Sequence, residues 1–114
     1  MNLNVLILFI TLLYNYTYSQ QNLVTNGSFE EYYSCPNNVG QLDNCKNVFN
    51  PTGFASSPDY FNSCDIILNN VSTPNNFRGI QIPYHGNAYC GFYSFILGIQ
   101  SYHEYLQIKL NKKY

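Results

Sequence analysis

From Tyr33 to Asn76 the chain is punctuated by turn formers at a density that no helix survives. Cys35-Pro36-Asn37-Asn38, Asn50-Pro51-Thr52-Gly53, Ser56-Ser57-Pro58-Asp59 and Thr73-Pro74-Asn75-Asn76 follow one another closely. Pro removes a backbone donor, and Asn and Gly favour turn backbone, so only short strands and turns fit between them. Hydrophobic anchors are interleaved with these turns: Val39, Leu42, Val48, Phe49, Phe54, Tyr60, Phe61, Ile66, Ile67 and Leu68. Unsupported loops of this length are uncommon in compact domains, and Cys35 and Cys64 within it suggest stapling.

The flanking segments carry strand patterns. Leu23 and Val24 can open a strand, Asn26-Gly27 is turn chemistry because both residues tolerate positive φ, and Phe29 offers a buried anchor before Glu30 and Glu31. Ile80, Ile82 and Tyr84 alternate with Gln81 and Pro83, as in a half-buried edge strand, and His85-Gly86-Asn87 reads as a turn. Ala88 to Ile96 is a nearly continuous apolar and aromatic run, the pattern of a central strand. Leu106, Ile108 and Leu110 alternate with Tyr105, Gln107 and Lys109, the cleanest period-two signal in the chain. No sustained amphipathic helix follows the leader, so the expected class is all-β.

That leader is Val5-Leu6-Ile7-Leu8-Phe9-Ile10-Thr11-Leu12-Leu13, shorter than the ~20 apolar residues of a membrane-spanning helix. It fits a secretory signal peptide over residues 1–19, with Thr17 and Ser19 at the small-residue positions and cleavage before Gln20. Met1 to Asn4 carries no Lys or Arg, and no Cys near the cleavage position supports a lipid anchor. Cleavage leaves 95 of the 114 residues, 20–114, enough for one small module that does not span a membrane. All four cysteines lie in that exported part, where disulfides form; three pairings are open, and no CxxC spacing favours zinc.

A formal net charge of −1 supplies no field for nucleic acid, whose binding rests on neutralising phosphates. Only 10% of residues are charged, while Tyr and Asn supply much of the polar surface, which suits neutral hydroxyl-rich ligands. Tyr32, Tyr33, Tyr60, Tyr84, Tyr89, Tyr93, Tyr102 and Tyr105 can offer ring faces to sugars, although Tyr ordinarily packs with a wet tip. Tyr60, Tyr84 and His85 lie near turns and are the candidates for exposure. Arg78, the sole arginine, can clamp a carboxylate in bidentate fashion or form a surface ion pair. Glu30, Glu31, Asp59, Asp65 and Glu104 are not tied by any motif into the flanking pair that glycoside hydrolysis needs. His85 and His103 are isolated, so no catalytic set is expected.

"NLVTNGSFEEYYSCP", "FNPTGFASSPDYFNSC", "STPNNFRGIQIPYHGNAYCGFYS" and "YHEYLQIKL" occur in order. Together they resemble the N-terminal jelly-roll modules of secreted cell-surface proteins of Bacteroidota, of the gliding-motility-associated or outer-membrane-protein-A-like kind. The resemblance spans residues 22–110 and implies a galactose-binding-like β-sandwich, akin to carbohydrate-binding modules, located at the cell surface or outer membrane. Phe49 stands where the family has Trp, and Cys45 and Cys90 where it has small residues. Because a jelly roll has about eight strands, the resemblance implies an incomplete sandwich whose last strand, Tyr105 to Leu110, keeps an unpaired edge or an uncovered apolar face.

The resemblance further implies that Cys35 pairs with Cys64, leaving Cys45 and Cys90 as a second pair or two buried thiols. It makes Glu30 a candidate ligand of a structural calcium, an ion that takes about six to eight oxygens. The function expected is non-catalytic binding of a polysaccharide or another cell-envelope component; the alternative is a structural or adhesive segment with no ligand of its own.

Overall fold

The computed structural model describes residues 2–3, 22–67, 70–99 and 102–112. The leader, with its cleavage after Ser19, lies almost wholly outside them. Among the described residues the regular elements are short strands and two 3-10 turns, Leu42–Asn44 and Gly53–Ala55, in keeping with a small all-β fold. No described helix is long and apolar enough to cross a membrane.

Among the described residues six strands follow one another: β1 (Val48–Phe49), β2 (Asp59–Asn62), β3 (Asn75–Asn76), β4 (Gly79–Ile80), β5 (Ala88–Gly91) and β6 (Gln107–Ile108). They pair antiparallel in three two-stranded sheets, β1 with β6, β2 with β5 and β3 with β4. β2 and β5 form the longest ladder, Asp59 facing Gly91 and Tyr60 facing Cys90. All four β2 residues are buried, so the strand is covered on both faces. Asn62 ends it: its side-chain oxygen accepts from the Cys64 N–H at 3.0 Å, folding the chain back toward the disulfide.

Cys35 and Cys64 are joined, with Cα atoms 5.9 Å apart, closing a loop 29 residues long beside the buried Pro36. Cys45 and Cys90 are thiols. On the chain-entropy view a closed loop of that length stabilises the fold by about 3–4 kcal/mol. The staple therefore does for the turn-rich stretch what its sparse regular hydrogen bonds cannot.

The core gathers Leu42, Cys45, Val48, Tyr60 and Ala88, with Phe29, Cys90, Leu106 and Ile108 packed against it. The period-two pattern near the C-terminus holds in part: Leu106 and Ile108 turn inward while Tyr105, Gln107 and Lys109 face solvent, but Leu110 is exposed, and Glu104 turns inward in the same phase. This last segment is flanked on both sides rather than left with an unpaired edge. Lys109 O accepts from the Thr25 N–H at 3.4 Å and its N–H reaches Asn47 O at 3.0 Å, while Val24 bridges Leu110. Other anchors fare differently. Phe54, Ile66 and Ile67 are exposed, as are Ile80, Ile82 and Tyr84, so the expected half-buried edge strand is an exposed two-residue ribbon. The apolar run from Ala88 is a strand only to Gly91, because β2 supplies four partners and Phe92 and Phe95 turn outward.

Asn26 holds the N-terminal loop to this core. Its φ of 52° is left-handed, as the Asn-Gly signal implies; the second left-handed residue of that loop is Phe29, at 61°, and not Gly27. The Asn26 amide nitrogen donates to Glu31 O and Lys46 O, each at 2.8 Å, and its oxygen accepts from the Glu31 N–H at 2.9 Å. Replacing Asn26 by Ala removes these bonds and leaves a β-carbon in a left-handed backbone, so the chain should lose about 3 kcal/mol. Asn26→Gly, free of the backbone cost, should lose about 1 kcal/mol less. Urea titration of the two variants measures both; equal losses would assign the whole effect to the hydrogen bonds.

Candidate functional site

A cleft of about 320 Å³ opens where β2, the β3–β4 ribbon and β5 meet. Each wall has a local cause. β2 contributes Asp59 and Phe61, which alternate with Tyr60 along the strand, so the even and odd faces serve cleft and core in turn. The ribbon contributes Asn76 and Arg78, and β5 with its continuation contributes Tyr89, Gly91 and Tyr93. Phe61 stacks on Tyr89 with centroids 4.9 Å apart and on Phe77 at 6.0 Å, giving the cleft an aromatic wall. Gly91 makes room for that wall: a β-carbon there would lie 2.8 Å from the Phe61 ring.

The polar equipment is paired in advance. Arg78 Nη2 sits 3.3 Å from Asp59 Oδ2, and Asp59 Oδ1 accepts from the Gly40 N–H at 2.7 Å. The Arg78 guanidinium lies over two rings, 4.3 Å from the centroid of Phe77 and 3.8 Å from that of Tyr93. Such stacking holds a planar cation while leaving its edge for hydrogen bonds. Its side chain is 37% exposed, against 3% for Asp59, so the arginine edge is the part a ligand meets. Asn76 donates to the Tyr89 hydroxyl at 2.5 Å and to Ser72 O at 3.1 Å. Burial pushes the Tyr89 phenol above its ordinary value, the Asn76 bond partly opposing it.

The residues singled out from the sequence are dispersed. Arg78 lines this cleft, whereas Tyr84 and His85 line a second cavity of about 280 Å³ with Gly27, Ser28 and Phe29. Tyr89 borders both. Tyr60 is not exposed: it is wholly buried, because the strand begun after Pro58 is covered on both faces. Its hydroxyl donates to Phe29 O at 2.8 Å and accepts from Asn62 Nδ2 at 2.8 Å, which makes it a strut beneath the N-terminal loop.

Glu30 caps a turn. Its Oε1 accepts from the Asn87 N–H at 2.7 Å, and Gly86, at φ 70°, leaves the space that the carboxylate occupies. Among the described residues no group of three His, Cys, Asp or Glu side chains could hold a metal ion. The other buried carboxylates are likewise engaged by hydrogen-bond donors of the chain itself. Asp65 accepts from the Val71 N–H at 3.1 Å. Glu104, buried at 3% exposure, accepts from the Ser57 N–H, the Tyr93 N–H and the Tyr102 hydroxyl at 3.0, 2.8 and 2.8 Å. Sequence reasoning missed its role, although Glu104 is in phase with Leu106 and Ile108 and its inward direction was readable. Asp59 was missed as a cleft residue because its partner lies 19 positions away.

Burial also sets the pH response. The Tyr60 phenol is pushed well above the ordinary tyrosine value, first by desolvation, against which the Asn62 hydrogen bond works. A phenol that stays neutral in the fold contributes stability that is complete below the unfolded value of about 10 and is lost as pH climbs above it. Melting temperature should therefore hold up to about pH 10 and fall above it. The fall should be smaller in Tyr60→Phe, which cannot ionise. Parallel curves for the two proteins would show that Tyr60 does not carry the alkaline transition.

No protein-family model, curated protein or solved structure matches the chain, so its chemistry is read from its own geometry.

Proposed function

We propose that the chain is the exported, non-catalytic binding module of a cell-surface protein, of the jelly-roll type known from Bacteroidota, and that it takes glycans in the Arg78 cleft. The observation that carries this reading is the combination of an aromatic wall with an arginine already stacked and charge-paired. A sugar ring presents a C–H face to aromatic carbons and hydroxyls at its rim. Tyr89 and Tyr93, backed by the buried Phe61, match the first, and Arg78 and Asn76 match the second. Because Asp59 offsets the charge of Arg78, the cleft suits a neutral polysaccharide better than a strongly anionic one. Affinity should be weak, since exchanging water for protein hydrogen bonds nets only about 1 kcal/mol each and no Trp adds stacking area.

Calorimetric titration of the purified chain against envelope and extracellular polysaccharides, with product analysis alongside, tests this. A Kd on the order of 0.1–1 mM is expected for at least one neutral glycan. Tyr93→Ala should abolish binding and Phe54→Ser, on the far exposed turn, should leave it unchanged. Loss of binding in Tyr84→Ala rather than Tyr93→Ala would move the site to the second cavity, and any turnover would refute the non-catalytic reading. Silence from a folded protein would favour the structural or adhesive alternative. That alternative draws support from the exposed Ile80, Ile82, Phe95 and Leu97, which a neighbouring domain could cover.

A further inference from the structure

Cys45 and Cys90 are brought together by two independent strand contacts. Cys45 forms a bridge with Tyr32, and Cys90 pairs with Tyr60 across the β2–β5 ladder. Directly opposed residues project to the same face. The Tyr32 and Tyr60 rings lie 6.4 Å apart, so all four side chains share one face of the core. Cys45 belongs to the core cluster and Cys90 packs against it.

We propose that Cys45 and Cys90 are a second disulfide site, closed by thiol–disulfide exchange in the oxidising compartment that the Cys35–Cys64 bond already implies. The bond formed is Sγ–Sγ, and the two thiols give up two electrons to a disulfide oxidant of the glutathione class. That oxidant's S–S bond breaks, and both thiol protons end on the two thiols it releases. The route passes through a mixed disulfide on one sulfur, which the neighbouring thiolate displaces.

The environment suits Cys45 to the second, displacing step, whereas contact with Cys45 and burial push the Cys90 thiol up. Contact with Cys90 and a hydrogen bond from Asn26, whose amide nitrogen is 3.4 Å from Cys45 Sγ, hold the Cys45 thiol below its ordinary value despite burial and Glu31. Thiolate character is what nucleophilic attack requires. Cys90 is half-buried rather than sealed, which leaves one sulfur within reach of a small oxidant. The link would tie β5, whose Tyr89 and Gly91 line the cleft on either side of Cys90, to the segment that Asn26 pins.

The test incubates the full chain, folded, with glutathione disulfide, then denatures it and alkylates what remains free. Alkylatable thiols should fall from two to none. Digestion without reductant should yield Cys45 linked to Cys90 beside Cys35 linked to Cys64. Glutathione should not accumulate on the chain, because the neighbouring sulfur displaces it. Two persistent thiols on a chain whose circular dichroism is unchanged would overturn the proposal. So would a stable glutathione adduct, or a dominant link from Cys45 or Cys90 to Cys35 or Cys64.

Discussion

The side chain of Asn26 is the constraint on which the remaining structure rests. It reaches across the chain to Lys46 O while closing its own loop on both the N–H and the C=O of Glu31. Three consequences follow from that one clamp. The carbonyl of Phe29 is presented to the buried Tyr60 hydroxyl, Glu30 is aimed at the 85–87 turn, and Cys45 receives a donor at its sulfur. A small β protein with little regular ladder needs such a hub, because its longest sheet holds only four residue pairs. Side-chain bonds to backbone do the work that extended strands do in larger sandwiches.

Glu104 acts in the same way at the opposite end. A buried carboxylate is costly unless it is fully hydrogen-bonded, and this one accepts from two backbone amides and a phenol. By holding Ser57 and Tyr93 it fixes both the entry to β2 and the ring that stacks on Arg78. The cleft is thus built by two polar clamps, Asp59 on Gly40 and Glu104 on Ser57 and Tyr93, around an aromatic wall.

The apolar surface left outside these clamps is large for a chain of this size. Phe54, Ile66, Ile67, Leu97 and Tyr84 are all strongly exposed, while β2 is sealed on both faces.

The sequence by itself determined what depends on local chemistry. Pro and Asn density excluded helix, Asn26-Gly27 placed a left-handed residue, and the alternation from Tyr105 to Lys109 set an inward and an outward face, because backbone preference and a period of two act over a few residues. The resemblance of the "YYSCP" and "YFNSC" segments paired Cys35 with Cys64, and the structure joins them. Only the tertiary structure decided that Tyr60 is a strut, that Arg78 meets Asp59 between two rings, and that Ile80 and Ile82 stay exposed. Those outcomes depend on which segments distant in sequence cover one another. A strand that follows a proline carries no local mark of being buried on both faces, and an alternating strand carries none of being left uncovered.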